Sequence, residues 1–209
     1  MSINVGDTIG IIALSGECDR DKIEQAKSNL EALGYKVKLS KNIFDQNRYL
    51  AGSDGDKIKE MENFFKDHKI KMILCARGGY GAIRLVNKIN YDLIKANPRP
   101  FCGFSDVTAL LLMIYKKTGI ITYHSPMAQS DFAEEVAKDF FLTLNSDRLE
   151  FTPDKILQEG TANGVLWGGN LSTVVSLCGL DFLPDGDFIF FTEDINEPVY
   201  KIDKIFKKL

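Results

Sequence analysis

The chain has 209 residues, of which 44% are hydrophobic and 26% are charged. This balance is typical of a globular protein with a sizeable core, and it excludes a largely disordered chain. The formal net charge of −3 gives no support for nucleic acid or an anionic membrane surface as the main partner.

The first 145 residues alternate between short apolar runs and segments with helical spacing. The opening run TIGIIAL is rich in β-branched residues and predicts a buried strand, whereas Ile23, Ala26 and Leu30 recur on one helix face. The predicted strands are residues 8–14, 35–39, 71–76, 99–104 and 120–123, and the predicted helices are residues 21–33, 54–67, 82–89 and 106–117. Such alternation predicts an α/β fold whose N-terminal, mostly parallel sheet is flanked by helices.

The composition of the sequence changes at residues 146–163, which are polar and show no sustained periodic spacing of apolar residues. We interpret this stretch as a linker between an N-terminal domain, residues 1–145, and a second unit, residues 164–209. The second unit is predicted to hold a helix over 172–178, a strand over 188–192 and a helix over 200–209. Because it is short, we interpret it as the start of a smaller, incomplete C-terminal domain.

The cysteines and the N-terminus favour a soluble cytoplasmic protein. The four cysteines are Cys18, Cys75, Cys102 and Cys178. They are widely spaced and form no CxxC pair, so we expect neither a zinc knuckle nor a redox dithiol. The first residues lack the basic and apolar regions of a secretory signal. The longest apolar run, at 107–115, is far shorter than the roughly 20 residues that span a bilayer. We therefore expect no membrane partner and no metal site.

Ser105 lies between a predicted strand and a predicted helix, in the run Gly-Phe-Ser-Asp. A serine on such a tight turn can present its hydroxyl as a nucleophile, with the positive end of the following helix aimed at the site. The N–H of Asp106 would then be a natural oxyanion donor. The alternative is that Ser105 or Asp106 simply caps the helix.

A glycine-rich run, Arg-Gly-Gly-Tyr-Gly, begins at Arg77 directly after another predicted strand. Adjacent glycines let the backbone approach a ligand, so Gly79 is a candidate for a second oxyanion N–H. Arg77 could pair with a carboxylate. The run lacks the ending of a Walker P-loop, and a plain turn is the alternative.

Two further stretches follow the polar linker. Glu193 ends an apolar strand, where a carboxylate could orient a histidine, although a solvated loop is the alternative. Trp167 precedes two glycines and Asn170, which favours a packed corner or the wall of a binding site.

The chain has two histidines. His68 lies among lysines and is expected at the surface. His124 follows the predicted strand 120–123 and is the only locally plausible base, yet its closeness to Ser105 in sequence says nothing about space. A structural role is the alternative for His124.

In their order along the chain, these stretches resemble the LD-carboxypeptidase, or muramoyltetrapeptide carboxypeptidase, family of serine peptidases. The matching blocks are Ala13-Leu14-Ser15, Leu50-Ala51-Gly52-Ser53-Asp54, Ala76-Arg77-Gly78-Gly79-Tyr80-Gly81, Gly103-Phe104-Ser105-Asp106-Val107-Thr108, His124-Ser125-Pro126-Met127, Leu166-Trp167-Gly168-Gly169-Asn170-Leu171 and Glu193-Asp194-Ile195-Asn196-Glu197-Pro198. The resemblance covers essentially the whole chain.

The resemblance implies a Ser–Glu–His triad in a cleft between two domains. Ser105 matches the nucleophile and Glu193 matches the triad carboxylate. Gly79 and Asp106 match the oxyanion positions. Contacts with the substrate are expected from Arg77, Tyr80, Trp167 and Asn170.

The implied reaction is hydrolysis of the L,D bond to the terminal D-alanine of a peptidoglycan tetrapeptide, without a cofactor. The triad histidine of the family lies well downstream of the acid, but residues 194–209 contain no histidine. The chain therefore looks truncated, and we expect it to be inactive or nearly so on its own. His124 matches a different family position.

Two other functions and one assembly state stay open. The resemblance also extends to peptidases that confer self-immunity to microcin C-type peptide–nucleotide antibiotics. A non-catalytic module that binds a muropeptide would keep the groove without the reaction. A homodimer is expected, because relatives are often dimers and an unfinished domain would expose apolar surface.

Overall fold

The structure is a computed structural model that describes residues 2–129, 134–146, 148 and 150–208. Among those residues, no helix combines the length and the apolar character needed to cross a membrane.

Seven strands and seven α-helices are found in the described residues. The strands are β1 Thr8–Ile12, β2 Lys36–Leu39, β3 Ile70–Cys75, β4 Phe101–Gly103, β5 Tyr123–His124, β6 Val165–Asn170 and β7 Phe188–Glu193. The helices are α1 Arg20–Ala32, α2 Asp54–Lys66, α3 Tyr91–Ala96, α4 Thr108–Thr118, α5 Glu134–Leu144, α6 Leu171–Ser176 and α7 Val199–Phe206.

The first five strands form one parallel sheet in the order β2-β1-β3-β4-β5. β1 and β3 are almost completely buried, because helices cover both faces of the sheet, and this explains their continuous apolar runs. Local signals fix the helix ends: Ser53 caps α2 by accepting from Asp56 N–H, and Gly119 ends α4 in the left-handed conformation at φ 74°. The α/β fold with a mostly parallel, helix-flanked sheet is confirmed.

The last two strands form a small parallel sheet of their own, β6-β7. Its inner face carries Trp167, which belongs to the same hydrophobic cluster as Leu110 and Leu111 of α4. Residues 151–164, just before this sheet, are exposed and contain no helix or strand. This stretch overlaps the expected linker at 146–163; the division into two domains stays a prediction.

Several predicted elements differ from those observed. The helix predicted over 82–89 is wrong: only Ala82–Arg84 forms a 3-10 turn, and the backbone bonds that follow, from Leu85 N–H to Ala82 and from Lys88 N–H to Leu85, also span three residues. The segment ends at Asn90, whose side chain caps α3. The strand predicted over 120–123 is displaced and comprises Tyr123–His124. Helices α3 and α5 were not predicted.

Candidate active site

The carboxyl ends of β3, β4, β6 and β7 converge on one open cavity of about 370 Å³. Ligands of parallel α/β sheets bind at this edge, beyond the carboxyl ends of the strands. The cavity is lined by six of the residues singled out in the sequence: Gly79, Tyr80, Ser105, Asp106, Asn170 and Glu193. The structure therefore brings the expected nucleophile, acid and oxyanion positions together.

Ser105 has a strained backbone. Its φ of 60° lies in the left-handed region, which a non-glycine residue seldom adopts and which often marks a functional turn. The turn is tight because Gly78 packs against Ser105: a Cβ on Gly78 would lie 2.9 Å from Ser105 Oγ. Ser105 begins a 3-10 turn that leads into α4, which is the geometry of a serine presented at the top of a sheet.

The capping alternative for Ser105 and Asp106 is wrong. Among the described residues, no side chain caps the 3-10 turn or α4. The Asp106 carboxylate instead accepts the N–H of Ala82 at 2.8 Å, between two buried residues. Burial raises the pKa of Asp106, while the hydrogen bond from Ala82 N–H and the charge of Lys57 oppose that rise. The hydrogen bond ties the glycine-rich run to the serine turn.

The two expected oxyanion donors, Gly79 and Asp106, belong to the two segments that the hydrogen bond between Ala82 and Asp106 joins. Gly79 has a φ of 113°, a conformation that glycine adopts at little cost, and within the described chain its N–H makes no hydrogen bond. Asp106 is the second residue of the 3-10 turn, and the first N–H to bond within the turn is that of Val107, so the Asp106 N–H has no partner within the turn. Both residues line the cavity beside Ser105.

The two neighbouring acids have different surroundings. Asp194 accepts from Ser172 N–H at 3.0 Å, Ser172 Oγ at 2.7 Å and Asn170 Nδ2 at 3.2 Å. Although burial raises the pKa of Asp194, the hydrogen bonds from Ser172 and its neighbours hold it below the usual value. Asp194 thereby fixes the start of α6 to the end of β7.

Glu193 lacks such a network. Its Oε1 is buried and has no hydrogen-bond partner among the described residues. Burial raises the pKa of Glu193, a hydrogen bond with Asn170 lowers it, and the Asp194 carboxylate raises it again. Of the two acids, Glu193 is therefore the one with a carboxylate oxygen left to orient another group.

His124, for which a structural role was left open, lies next to this acid. Its Nε2 is 4.0 Å from Glu193 Oε1, and its ring meets Phe104 and Phe191 edge to face. Burial lowers the pKa of His124. Sequence reasoning missed this pairing, although the position of His124 at the carboxyl end of a strand was a usable signal. No hydrogen bond joins it to Ser105 Oγ in the described part of the chain.

Of the four expected substrate residues, Tyr80 and Asn170 line the cavity, whereas Arg77 and Trp167 lie outside it. Arg77 donates to the carbonyl of Glu17 at 2.9 Å. Trp167 is 3% exposed and packs on an aromatic cluster, Phe182, Phe188 and Phe190. Tyr80 is half exposed beside Tyr49 and lines the cavity. The positions of Arg77 and Trp167 favour roles in packing over direct contact with a ligand.

Comparison with known proteins gives matches along nearly the whole chain. A family model described as the LD-carboxypeptidase N-terminal domain matches residues 9–125, and one described as the LD-carboxypeptidase C-terminal domain matches residues 163–209. The probable murein peptide carboxypeptidase of Bacillus subtilis (strain 168) is 37% identical over 219 residues, covering 100% of this chain and 68% of that protein.

Two further proteins extend the comparison. The microcin C7 self-immunity protein MccF of Escherichia coli is 26% identical over 246 residues, covering 98% of this chain and 71% of that protein. The crystal structure of muramoyltetrapeptide carboxypeptidase from Oxalobacter formigenes has a TM-score of 0.87 and 26% identity, covering 97% of this chain and 70% of that chain. The chain spans about two thirds of the length of the curated relatives it matches.

Proposed function

The chain belongs to the LD-carboxypeptidase family, and we propose that it carries the nucleophile and the acid of a serine peptidase that releases the terminal D-alanine of peptidoglycan tetrapeptides. The observation that supports this most is the pairing, in one cavity, of a strained Ser105 with a Glu193 that keeps a carboxylate oxygen unpartnered among the described residues.

In the proposed reaction Ser105 Oγ attacks the carbonyl of the L,D peptide bond. A histidine takes the serine proton and then gives it to the leaving D-alanine amine, while Glu193 orients that histidine and stays ionised. The N–H groups of Gly79 and Asp106 stabilise the oxyanion. Water, activated by the same histidine, hydrolyses the acyl-enzyme, so that no metal or organic cofactor is required.

In this proposal the triad histidine, which acts as the base, is not among the 209 residues. The family resemblance puts it downstream of Glu193, where residues 194–209 contain no histidine. Removing one triad member typically lowers the rate by about 10⁴–10⁶. We therefore expect the 209-residue chain alone to be inactive or nearly so.

The test is D-alanine release from a muramoyl tetrapeptide by the protein isolated from its source, with its intact mass recorded. Activity together with a mass well above 23.4 kDa would support a base on a further segment. Ser105→Ala should abolish turnover, whereas Ser28→Ala, on the exposed surface of α1, should not change it. D-alanine release that survives Ser105→Ala would contradict the proposal.

A second candidate is self-immunity to a microcin C-type antibiotic, favoured by the match to MccF over 98% of this chain. The serine chemistry would be the same, but the substrate would be an aminoacyl nucleotide. Cleavage rates measured on both substrates with the same preparation separate the two functions.

A third candidate, a non-catalytic module, predicts binding of the tetrapeptide without hydrolysis. Calorimetry with the 209-residue chain measures that binding, and hydrolysis by the same chain would contradict this candidate.

A homodimer in the cytoplasm completes the proposal. It is supported by the exposed apolar side chains of α7, where Val199 is 83% and Tyr200 is 70% exposed. Light scattering after size exclusion measures the assembly state.

A further inference from the structure

A buried carboxylate oxygen without a donor is costly, since most buried polar atoms have a hydrogen-bond partner. Glu193 Oε1 is such an atom in the described part of the chain. His124 Nε2 lies 4.0 Å from Glu193 Oε1. A shift of about 1 Å would bring these two atoms to hydrogen-bond distance, and contacts in active sites often tighten in this way when substrate binds.

We propose that His124 is a positioning residue for Glu193: it donates a hydrogen bond from Nε2 to Oε1 and so holds the carboxylate ionised, with its other oxygen free for the triad base. The catalytic part of this inference rests on the proposed function, while the pairing of the two side chains does not. His124 itself is not assigned a contact with the substrate.

The packing around the ring fixes which nitrogen faces the acid. A Cβ placed on Gly169 would lie 3.3 Å from His124 Nδ1, so this side of the ring abuts the backbone of β6. Phe104 and Phe191 meet the ring edge to face, with centroid distances of 6.0 and 5.4 Å. These contacts leave Nε2 as the nitrogen directed toward Glu193. The neutral ring must then carry its proton on Nε2.

The pairing also answers an electrostatic difficulty. Burial and the neighbouring Asp194 both favour the protonated form of Glu193, whereas a triad acid must be ionised. A donor to Oε1 stabilises the ionised form. Other titratable side chains line the cavities that adjoin this pair, namely Tyr80, Asp106, Tyr115, Tyr123, Asp139 and Asp194. None of these lining side chains is cationic at neutral pH, and Lys201 of α7, whose charge acts on Asp194, is paired with Glu197 at 3.1 Å. In this proposal Glu193 Oε1 is therefore stabilised by the N–H of the neutral His124 ring.

The first test uses NMR of the 209-residue chain, which has two histidines. His68→Gln identifies the signal of His124, and both histidine signals are then titrated in the wild type and in Glu193→Gln. Because a nearby carboxylate favours imidazolium, Glu193→Gln should lower the pKa of His124 by roughly 0.5–1. His68 is the internal reference and should not move. Asp181→Asn, a change of one charge on the surface, should leave His124 unchanged.

Two results would overturn the pairing. One is a His124 pKa that stays the same in Glu193→Gln. The other needs no variant: a long-range ¹H–¹⁵N spectrum of the wild type that shows the proton of neutral His124 on Nδ1. The expected spectrum has that proton on Nε2, and this reading stands even if Glu193→Gln fails to fold.

The second test separates positioning from packing in the active source protein. His124→Gln keeps a donor at the place of Nε2, whereas His124→Leu fills the space without one. His124→Leu should move the acid limb of the kcat/KM profile to higher pH and lower kcat by about 10-fold, with KM nearly unchanged. His124→Gln should restore most of the activity. Equal profiles for both variants and the wild type would overturn the catalytic part.

The two tests fail in different ways. If no form of the protein releases D-alanine, the proposed function is contradicted while the NMR result still decides the pairing.

Discussion

Gly78 shows how a residue without a side chain shapes the candidate nucleophile. A Cβ placed on Gly78 would lie 2.9 Å from Ser105 Oγ and 2.9 Å from Ser105 Cβ. Real Cβ atoms do not approach other heavy atoms this closely. Any larger residue at position 78 must therefore displace the serine.

We expect Gly78→Ala to lower kcat of the active source protein by about 10²-fold, because a small displacement of a nucleophile is costly in rate. The loss should be seen in D-alanine release at saturating substrate. Gly55→Ala is the matched control, since its new Cβ would meet only Ser53 Oγ at 3.8 Å. Equal activity of the two variants would mean that Ser105 tolerates displacement.

At the same scale, sequence reasoning found most of the cavity but not its internal pairing. Ser105, Gly79 and Glu193 were identified from the family motifs and lie together. The approach of His124 to Glu193 was missed, because it depends on the distance between two sheets whose strands are far apart in the sequence. The different surroundings of Glu193 and Asp194 were not predictable for the same reason: the partners of Asp194 belong to α6.

Among the elements, α2 is held at both ends by charged side chains. At its start, Asp54 accepts from Arg84 at 3.1 Å and from Lys88 at 2.9 Å. At its end, the buried Arg99 donates to the carbonyls of Phe64, Phe65, Asp67 and Ile70. The two ends give predictions that differ in size, because one is at the surface and the other is buried.

Asp54 should make stability depend on acid pH. Burial pushes its pKa up, but the hydrogen bonds from Arg84 and Lys88 and the charge of Lys57 bring the pKa down to about 2. Since the folded pKa lies below the unfolded value, the stabilisation is present above about pH 4 and is lost as the pH falls toward 2. With partly exposed partners, we expect about 1 kcal/mol.

Urea unfolding of the wild type and of Asp54→Asn between pH 2 and pH 6 measures this contribution. The difference in unfolding free energy should be largest at pH 6 and should shrink steadily as the pH falls from 4 toward 2. A difference that is constant with pH would show that the ionised carboxylate does not contribute.

Arg99 should contribute more to the unfolding free energy than Asp54 does, because its guanidinium donates to backbone carbonyls at the end of α2 and the start of β3. We expect Arg99→Met to lower the unfolding free energy by about 3 kcal/mol, since it leaves buried acceptors unpaired. Arg148→Met is the control, because Arg148 is 84% exposed and its pair with Glu150 is at the surface. Urea denaturation of the two variants, read at constant pH, gives the comparison.

Elements with a simple local signal were predicted well, and those decided by tertiary contacts were not. β1 and β3 follow from continuous apolar runs buried on both faces. The helix predicted over 82–89 failed: its own backbone bonds span three residues, and side chains from outside fix the segment by two contacts, from Asp106 to Ala82 N–H and from Tyr91 to the carbonyl of Val86. Neither contact is visible in the local spacing of apolar residues.

For the whole molecule, the main question is whether the two sheets unfold together. They are joined by more than one kind of contact. Trp167 and Val174 share a hydrophobic cluster with α4, the N–H of Asn170 donates to Thr108 Oγ1 at 3.2 Å, and Lys116 pairs with Asp185 at 2.7 Å. A shared core couples two units more strongly than surface ion pairs do.

The chain has one tryptophan, and it lies in this shared core. We therefore expect urea transitions followed by Trp167 fluorescence and by far-ultraviolet circular dichroism to coincide, because fluorescence reports on the small sheet and most of the helical signal comes from the large one. Leu111→Ala, which leaves a cavity beside α4, should lower both midpoints equally and reduce the unfolding free energy by about 2–5 kcal/mol. Phe151→Ala, at a residue that is 82% exposed, should change neither. If Leu111→Ala lowered only the dichroism midpoint, the two sheets would be independent units, and the candidate cavity would lie between parts that can separate.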